Sequence, residues 1–136
     1  MSIDENTRIA QNCYAAFSRG DIPAVLDALD ENVEWVTPDV ELPTGGVWKG
    51  RAGVAQFFQR VTETWEFEAL EQREYIAAGD RVIVLGSYTC TGRSTGRRMS
   101  CDWAMAWTMR NGKVVHFQEY TDTAVLRDAL TARSAA

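Results

Sequence analysis

An α+β fold is predicted for this chain: helices first, then a curved antiparallel sheet wrapped around them, leaving a cone. Three observations predict it. Helical spacing is concentrated early, at Ile9 or Ala10, Cys13, Tyr14 and Phe17 and again at Val54, Phe57, Phe58 and Val61. From Trp65 onward the apolar period becomes two, with Trp65, Phe67 and Ala69 alternating with Glu66 and Glu68. Near the end, Asn111-Gly112 separates two β-rich runs, which is a strong hairpin signal because a type I′ turn needs φ > 0 at both central residues. Helices segregated from a meander define α+β rather than alternating α/β architecture. The 136 residues are expected to form one domain, 1–136.

Each element has its own signal. Ser2 and Glu5 form a capping box ahead of the first helix, and Gly20 stops it. Asp21 reads as the N-cap of a short second helix, with Pro23 in its first turn and Val25, Leu26 and Leu29 on its apolar side. Val33–Val36 is a short strand ending at Pro38. Pro43, Gly45 and Gly46 mark a loop that runs to Val47-Trp48-Lys49-Gly50 before the third helix. Strands follow over Trp65–Ile76, Arg81–Thr91 and Met99–Met109, with turns at Gly79-Asp80 and Gly92–Gly96, then the last strand after Asn-Gly. Thr123–Leu130 reads as a short closing helix capped by Asp122, and the tail from Thr131 is expected to fray.

Composition excludes several classes. A net charge of −5 argues against a nucleic-acid surface, and Arg93, Arg97 and Arg98 beside Gly92 and Gly96 read as a solvated hairpin tip. Arg19-Gly20-Asp21 reads as a helix junction rather than an adhesion tripeptide. Cys13, Cys90 and Cys101 are odd in number and fit no metal spacing, which suggests reduced thiols in a cytoplasm. No apolar run nears the ~20 residues that a membrane-spanning helix requires. One histidine, no phosphate-cradling glycine loop before a Lys-Ser helix and no nucleophile elbow leave no expected metal or cofactor.

The register of the last hairpin decides the pocket. An uninterrupted two-residue loop sets Arg110 opposite Lys113, Trp107 opposite His116, Met105 opposite Gln118 and Trp103 opposite Tyr120. On the other face Ala106 meets Phe117, Ala104 meets Glu119 and Asp102 meets Thr121. Gly86, Ala104 and Ala106 are small where a filled core would hold Leu or Phe, so the expected concave face carries Gly86, Tyr88, Asp102, Ala104, Ala106, Phe117, Glu119 and Thr121. The Trp/Met face then needs a cover, and a homodimer through Trp103, Met105, Trp107, His116 and Tyr120 is the expected one. The alternative puts the Trp and Met side chains in the core and the small residues outside; alternation alone does not choose.

Phe17-Ser18-Arg19-Gly20-Asp21, Asp30-Glu31-Asn32-Val33-Glu34-Trp35, Trp48-Lys49-Gly50 before Val54–Phe58, Asn111-Gly112-Lys113-Val114 and Glu119-Tyr120-Thr121-Asp122 occur in a telling order. In this the chain resembles the SnoaL-like and ketosteroid-isomerase-like branch of the nuclear transport factor 2-like superfamily, whose cone-shaped fold serves polyketide cyclases and isomerases. The resemblance covers nearly the whole chain. It implies a site of a helical Tyr, an Asp ending the first strand and an Asp before the hairpin turn. A hand alignment puts Cys13, Val36 and Ala106 there, so that isomerase constellation is absent, and Tyr14 points about 100° away from Cys13 around the helix. The Arg and Asp of limonene-epoxide-hydrolase-like relatives correspond to Gly86 and Tyr88. A pocket carboxylate on the last strand corresponds to Glu119.

Glu119 is therefore the expected catalytic base, its pKa raised by apolar surroundings, with Asp102 as a diagonal partner that divides acid from base roles. The rest of the expected pocket is Cys13, Tyr14, Phe17, Glu34, Val36, Trp48, Phe57, Phe58, Phe67, Gly86, Tyr88, Ala104, Ala106, Phe117 and Thr121. His116 is expected to be structural. The implied function is proton transfer (isomerisation, aldol cyclisation or dehydration) on an apolar ring-containing carbonyl compound, with a non-catalytic binding or accessory module as the alternative and a dimeric scaffold as a third.

Overall fold

The computed structural model describes residues 3–132. In chain order the elements are α1 (Ile3–Ser18), α2 (Ile22–Asp27), β1 (Leu29–Thr37), β2 (Gly46–Lys49), α3 (Gly50–Thr64), β3 (Trp65–Ala78), β4 (Arg81–Gly92), β5 (Arg98–Arg110), β6 (Lys113–Thr121) and α4 (Thr123–Leu130). The strands form one sheet in the order β2-β1-β6-β5-β4-β3. Among the described residues only the β1–β6 pairing is parallel. The fold class is thus the expected α+β one, with α1 and α3 laid against the inner face of an open, curved sheet. Ser2 of the capping box and the tail from residue 133 lie outside the described residues. No helix among the described residues is long and apolar enough to cross a membrane.

Local chemistry sets these boundaries. Helix α1 ends where Gly20 takes φ +75°, and the Asp21 N–H reaches back to the Ala16 carbonyl at 2.8 Å. A Cβ would penalise that left-handed residue. Asp21 caps α2, accepting from Ala24 N, and Asp122 caps α4, accepting from Ala124 N and Val125 N. The expected spacing on α3 holds, since Val54, Phe57, Phe58 and Val61 are its buried residues. Strand β1 is longer than the four residues expected, and the stretch Gly46–Lys49 pairs with it as a strand. That second strand is too short to carry an alternation signal. The arginines at the β4–β5 tip are tied down: Arg93 donates to the Thr62 carbonyl, Arg97 binds Asp128 at 2.7 Å and Arg98 binds Glu68 at 2.6 Å. They clamp the tip to α4 and β3.

The hairpin turn is as read, with Asn111 at φ 51°, Gly112 at φ 78° and Arg110 opposite Lys113. The register beyond it is not. A bulge between Thr108 and Met109 leaves Val115 without a partner, so Thr108 faces His116, Trp107 faces Phe117, Met105 faces Glu119 and Trp103 faces Thr121. One extra residue in a strand moves a whole side-chain set to the other face. Trp103, Met105, Trp107 and Met109 are consequently buried inside, on the same face as Phe117, Glu119, Val82, Val84 and Tyr88. Asp102, Ala104 and Ala106 lie on the outer face, contrary to expectation, with Gln118 and Tyr120. The pairing surface proposed from the sequence is corrected accordingly: Trp103, Met105 and Trp107 are core residues, and only His116 and Tyr120 of that set face outward.

Candidate active site

The inner face of the sheet and the helices enclose a cavity of about 100 Å³. Most of its wall is aromatic. Trp35 stacks on Phe117 with ring centroids 3.8 Å apart, and Trp107 meets Phe117 edge-on at 4.8 Å. Phe57 and Phe58 of α3 pack on Trp35, while Phe17 of α1 touches Phe58 and Phe67. Helix α4 contributes Leu126, and Thr44 from the β1–β2 connection completes the wall. The rings fall here because Trp35, Trp107 and Phe117 occupy inward positions of three adjacent strands, where edge-to-face pairs add to area burial.

Glu119 is the carboxylate in this wall. Its side chain is deep, yet half-buried rather than sealed, because the cavity itself keeps part of it accessible. Removal from water pushes its pKa from 4.5 up to about 7, and a hydrogen bond from Tyr88 partly offsets that shift. Tyr88 Oη lies 3.1 Å from Glu119 Oε2 and 3.0 Å from Thr121 Oγ1. Thr121 in turn donates to the Asp102 carbonyl at 3.0 Å and sits 3.3 Å from Cys101 Sγ. A second polar group, the Tyr14 hydroxyl, accepts from Trp107 Nε1 at 3.0 Å and donates to Met105 Sδ at 3.1 Å. A thioether is a weak acceptor, so that hydroxyl is available to a better one. Burial raises the pKa of Tyr14 and Tyr88 and pushes the Cys13 and Cys90 thiols up to about 12, leaving all four neutral.

The structure brings together nine of the residues read from sequence: Cys13, Tyr14, Phe17, Phe57, Phe58, Phe67, Tyr88, Phe117 and Glu119 all line the cavity. Tyr14 is a fuller member than its helical offset suggested, since both it and Cys13 are buried on the sheet side of α1. Thr121 stands one hydrogen bond behind the wall. Trp48 buttresses it, donating to Thr37 Oγ1 at 3.3 Å and packing on Phe57.

The others are corrected. Asp102 is exposed on the outer face, 3.2 Å from Arg73, and has no part in the cavity with Glu119. Ala104 and Ala106 share that face. Gly86 is small to admit Trp103: a Cβ there would sit 2.6 Å from the indole and 2.0 Å from the Glu71 carbonyl oxygen. Glu34 and Val36 point away from the cavity, with Glu34 Oε1 3.5 Å from His116 Nε2. Val33, Trp35 and Thr37 are the inward residues of β1. Strand alternation could have found Trp35, because charged Glu34 beside it marks the outer face. Met105 and Trp107 were missed through the bulge. Among the described residues no group of three or more His, Cys, Asp or Glu side chains is placed to hold a metal ion.

The open, curved sheet packed on helices is the architecture of NTF2-like proteins. The chain belongs to the SnoaL-like domain family, whose sequence model matches residues 10–117. Solved structures agree. An NTF2-like protein from Burkholderia xenovorans LB400 is 37% identical, covering 96% of this chain and 99% of its own, with a TM-score of 0.88. An NTF2-like protein of unknown function from Burkholderia pseudomallei K96243 is 33% identical over 97% of this chain and 100% of its own, also at 0.88. TerC, co-crystallised with polyporic acid, is 31% identical over 93% of this chain and 98% of its own, with a TM-score of 0.82. No curated protein matches this chain.

Proposed function

We propose that this chain is a proton-transfer enzyme acting on a small, apolar, ring-containing carbonyl compound, with Glu119 as the base. The observation that carries this reading is a carboxyl set among aromatic rings and poised near neutrality. Such a group takes a proton at neutral pH and returns it readily. In the simplest cycle, ionised Glu119 removes the proton α to the carbonyl. The C–H electron pair becomes part of an enolate, and the negative charge gathers on the carbonyl oxygen. The Tyr14 hydroxyl, leaving Met105 Sδ, is the donor on hand for that oxygen. Protonated Glu119 then returns its proton to the same or a conjugated carbon, so isomerisation balances without a further reagent.

Cavity size limits the substrate. About 100 Å³ is less than the ~150 Å³ of an apolar cavity that takes up benzene, so anything larger than a small ring needs the aromatic lining to part. The test is exchange of α-deuterium from small cyclic enones, followed by NMR. Wild-type protein is expected to catalyse it and Glu119→Gln to abolish it. Exchange surviving that substitution contradicts the reading.

A binding or accessory module is the second reading. The absence of the isomerase constellation at Cys13, Val36 and Ala106 favours it, and TerC, co-crystallised with polyporic acid, supplies a compound to try. Polyporic acid is the probe: binding equal in wild type and Glu119→Gln, with no exchange on any enone, selects the module. We further propose a homodimer through the outer sheet face, where Tyr120 is 55% exposed beside Ala104 and Gln118. Tyr120→Glu is expected to yield monomers in sedimentation, and an unchanged dimer, or a monomeric wild type, rules that seam out.

A further inference from the structure

We propose that Thr121 is a positioning residue that sets the proton occupancy of Glu119 from outside the cavity, by competing for the single proton of the Tyr88 hydroxyl. The proposal rests on Glu119 being the working carboxyl described above, and it concerns how that carboxyl is held ready.

The argument is a count of protons. Tyr88 Oη lies within hydrogen-bond distance of two acceptors, Glu119 Oε2 at 3.1 Å and Thr121 Oγ1 at 3.0 Å. A phenol donates one hydrogen and cannot serve both. When Glu119 is ionised it can only accept, so the Tyr88 proton must point at it. When Glu119 is protonated, its own O–H can donate to Tyr88 Oη, and the Tyr88 proton turns to Thr121. Thr121 is ready for that arrangement, because its own proton already goes to the Asp102 carbonyl and its oxygen is left to accept; Cys101 Sγ lies 3.3 Å away. The line Glu119–Tyr88–Thr121–Asp102 carbonyl can thus run in one direction throughout when Glu119 holds a proton. Ionisation reverses its first bond and strands Thr121 without the Tyr88 donor. Thr121 therefore favours protonated Glu119, whereas Tyr88 favours the ionised form, charge-assisted hydrogen bonds being roughly twice as strong as neutral ones.

Among the described residues the surroundings contain no rival charge. Helix α1 presents Cys13 and Tyr14, β4 presents Tyr88 and Cys90, and β5 presents Cys101, all with raised pKa values and hence neutral. The side chains of α3, α4 and β1 in the wall are apolar or indole, apart from Thr44 nearby. Asp102 turns its carboxylate outward to Arg73, and only its backbone carbonyl joins the line.

Two near-isosteric substitutions should move the Glu119 proton in opposite directions. The readout is the ¹³C resonance of the Glu119 carboxyl against pH, assigned by its loss in Glu119→Gln. Tyr88→Phe removes the donor to the carboxylate and should raise the midpoint by about one pH unit, the value of one such hydrogen bond. Thr121→Val removes the competing acceptor and should lower it by about half a unit. Thr121→Ser keeps the hydroxyl and should match wild type. A Thr121→Val midpoint that is unchanged, or that rises with Tyr88→Phe, overturns the proposal, as does a Ser variant that behaves like Val. No substrate is present, so failure of the enzyme reading leaves these midpoints untouched and the two failures stay distinct.

Discussion

The two faces of the β5–β6 hairpin carry one acidic side chain each of the pair that the sequence singles out, and they treat them oppositely. Glu119 stands on the inner face among Tyr14, Tyr88, Phe117 and Trp107, where removal from water lifts its pKa to about 7. Asp102 stands on the outer face, with its side chain 85% exposed and Arg73 alongside. Chemistry follows environment rather than residue type. A carboxylate in water beside a guanidinium is a settled charge, while one in an aromatic wall with a phenol as hydrogen-bond donor is a group that can change state.

The sharpest way to break this contrast is activity. Glu119→Gln should lose about 10²- to 10⁴-fold in α-proton exchange, the usual contribution of a positioned general base, whereas Asp102→Asn should stay near wild type. Equal losses would erase the distinction. Stability comes next. Trp103 is 3% exposed and fills the space left by Gly86, so Trp103→Ala should cost about 3–5 kcal/mol in chemical denaturation. A loss under ~1 kcal/mol would mean that this indole is not core.

A pH dependence follows from the inner carboxyl. Folded Glu119 holds its proton up to about pH 7, the unfolded chain only to about 4.5, so the folded state binds more protons in that window. Stability contributed by this group is therefore fully present below pH 4.5 and is lost as pH rises through 7, by up to about 3 kcal/mol. The unfolding free energy of wild type relative to Glu119→Gln should fall across that window, and a flat difference would contradict it. The smallest effect belongs to the outer face: Asp102→Ala should change stability by no more than ~0.5 kcal/mol, because exposed ion pairs contribute little and are screened by salt.

Much of the fold was legible because its signals are local. The α3 stripe, the Asp21 and Asp122 caps, the Asn111-Gly112 turn and the inward set of β4 each depend on a few neighbouring residues. Glu119, Tyr88, Phe117 and the α1 residues were likewise placed correctly by alternation and helical spacing. What failed depended on one residue, Val115, whose bulge no composition signal announces. It inverted β5 relative to β6 and exchanged Met105 and Trp107 for Ala104 and Ala106 as pocket residues. The same slip brought Asp102 to Glu119 on paper, where the structure sets them on opposite faces. Small residues on a strand were read as a hollow. On Ala104 and Ala106 they belong to the outer face, and at Gly86 the space is taken by an indole from the next strand, a long-range fit that no single segment contains.

The most direct test of the central claim is a pH titration of the Glu119 carboxyl in the wild-type protein by ¹³C NMR. A midpoint near 7 is the result expected for a carboxyl held in the aromatic cavity and ready to exchange its proton. A midpoint near 4.5, the ordinary value for glutamate, would mean that Glu119 is a permanently charged wall residue and that the proton-transfer reading is wrong.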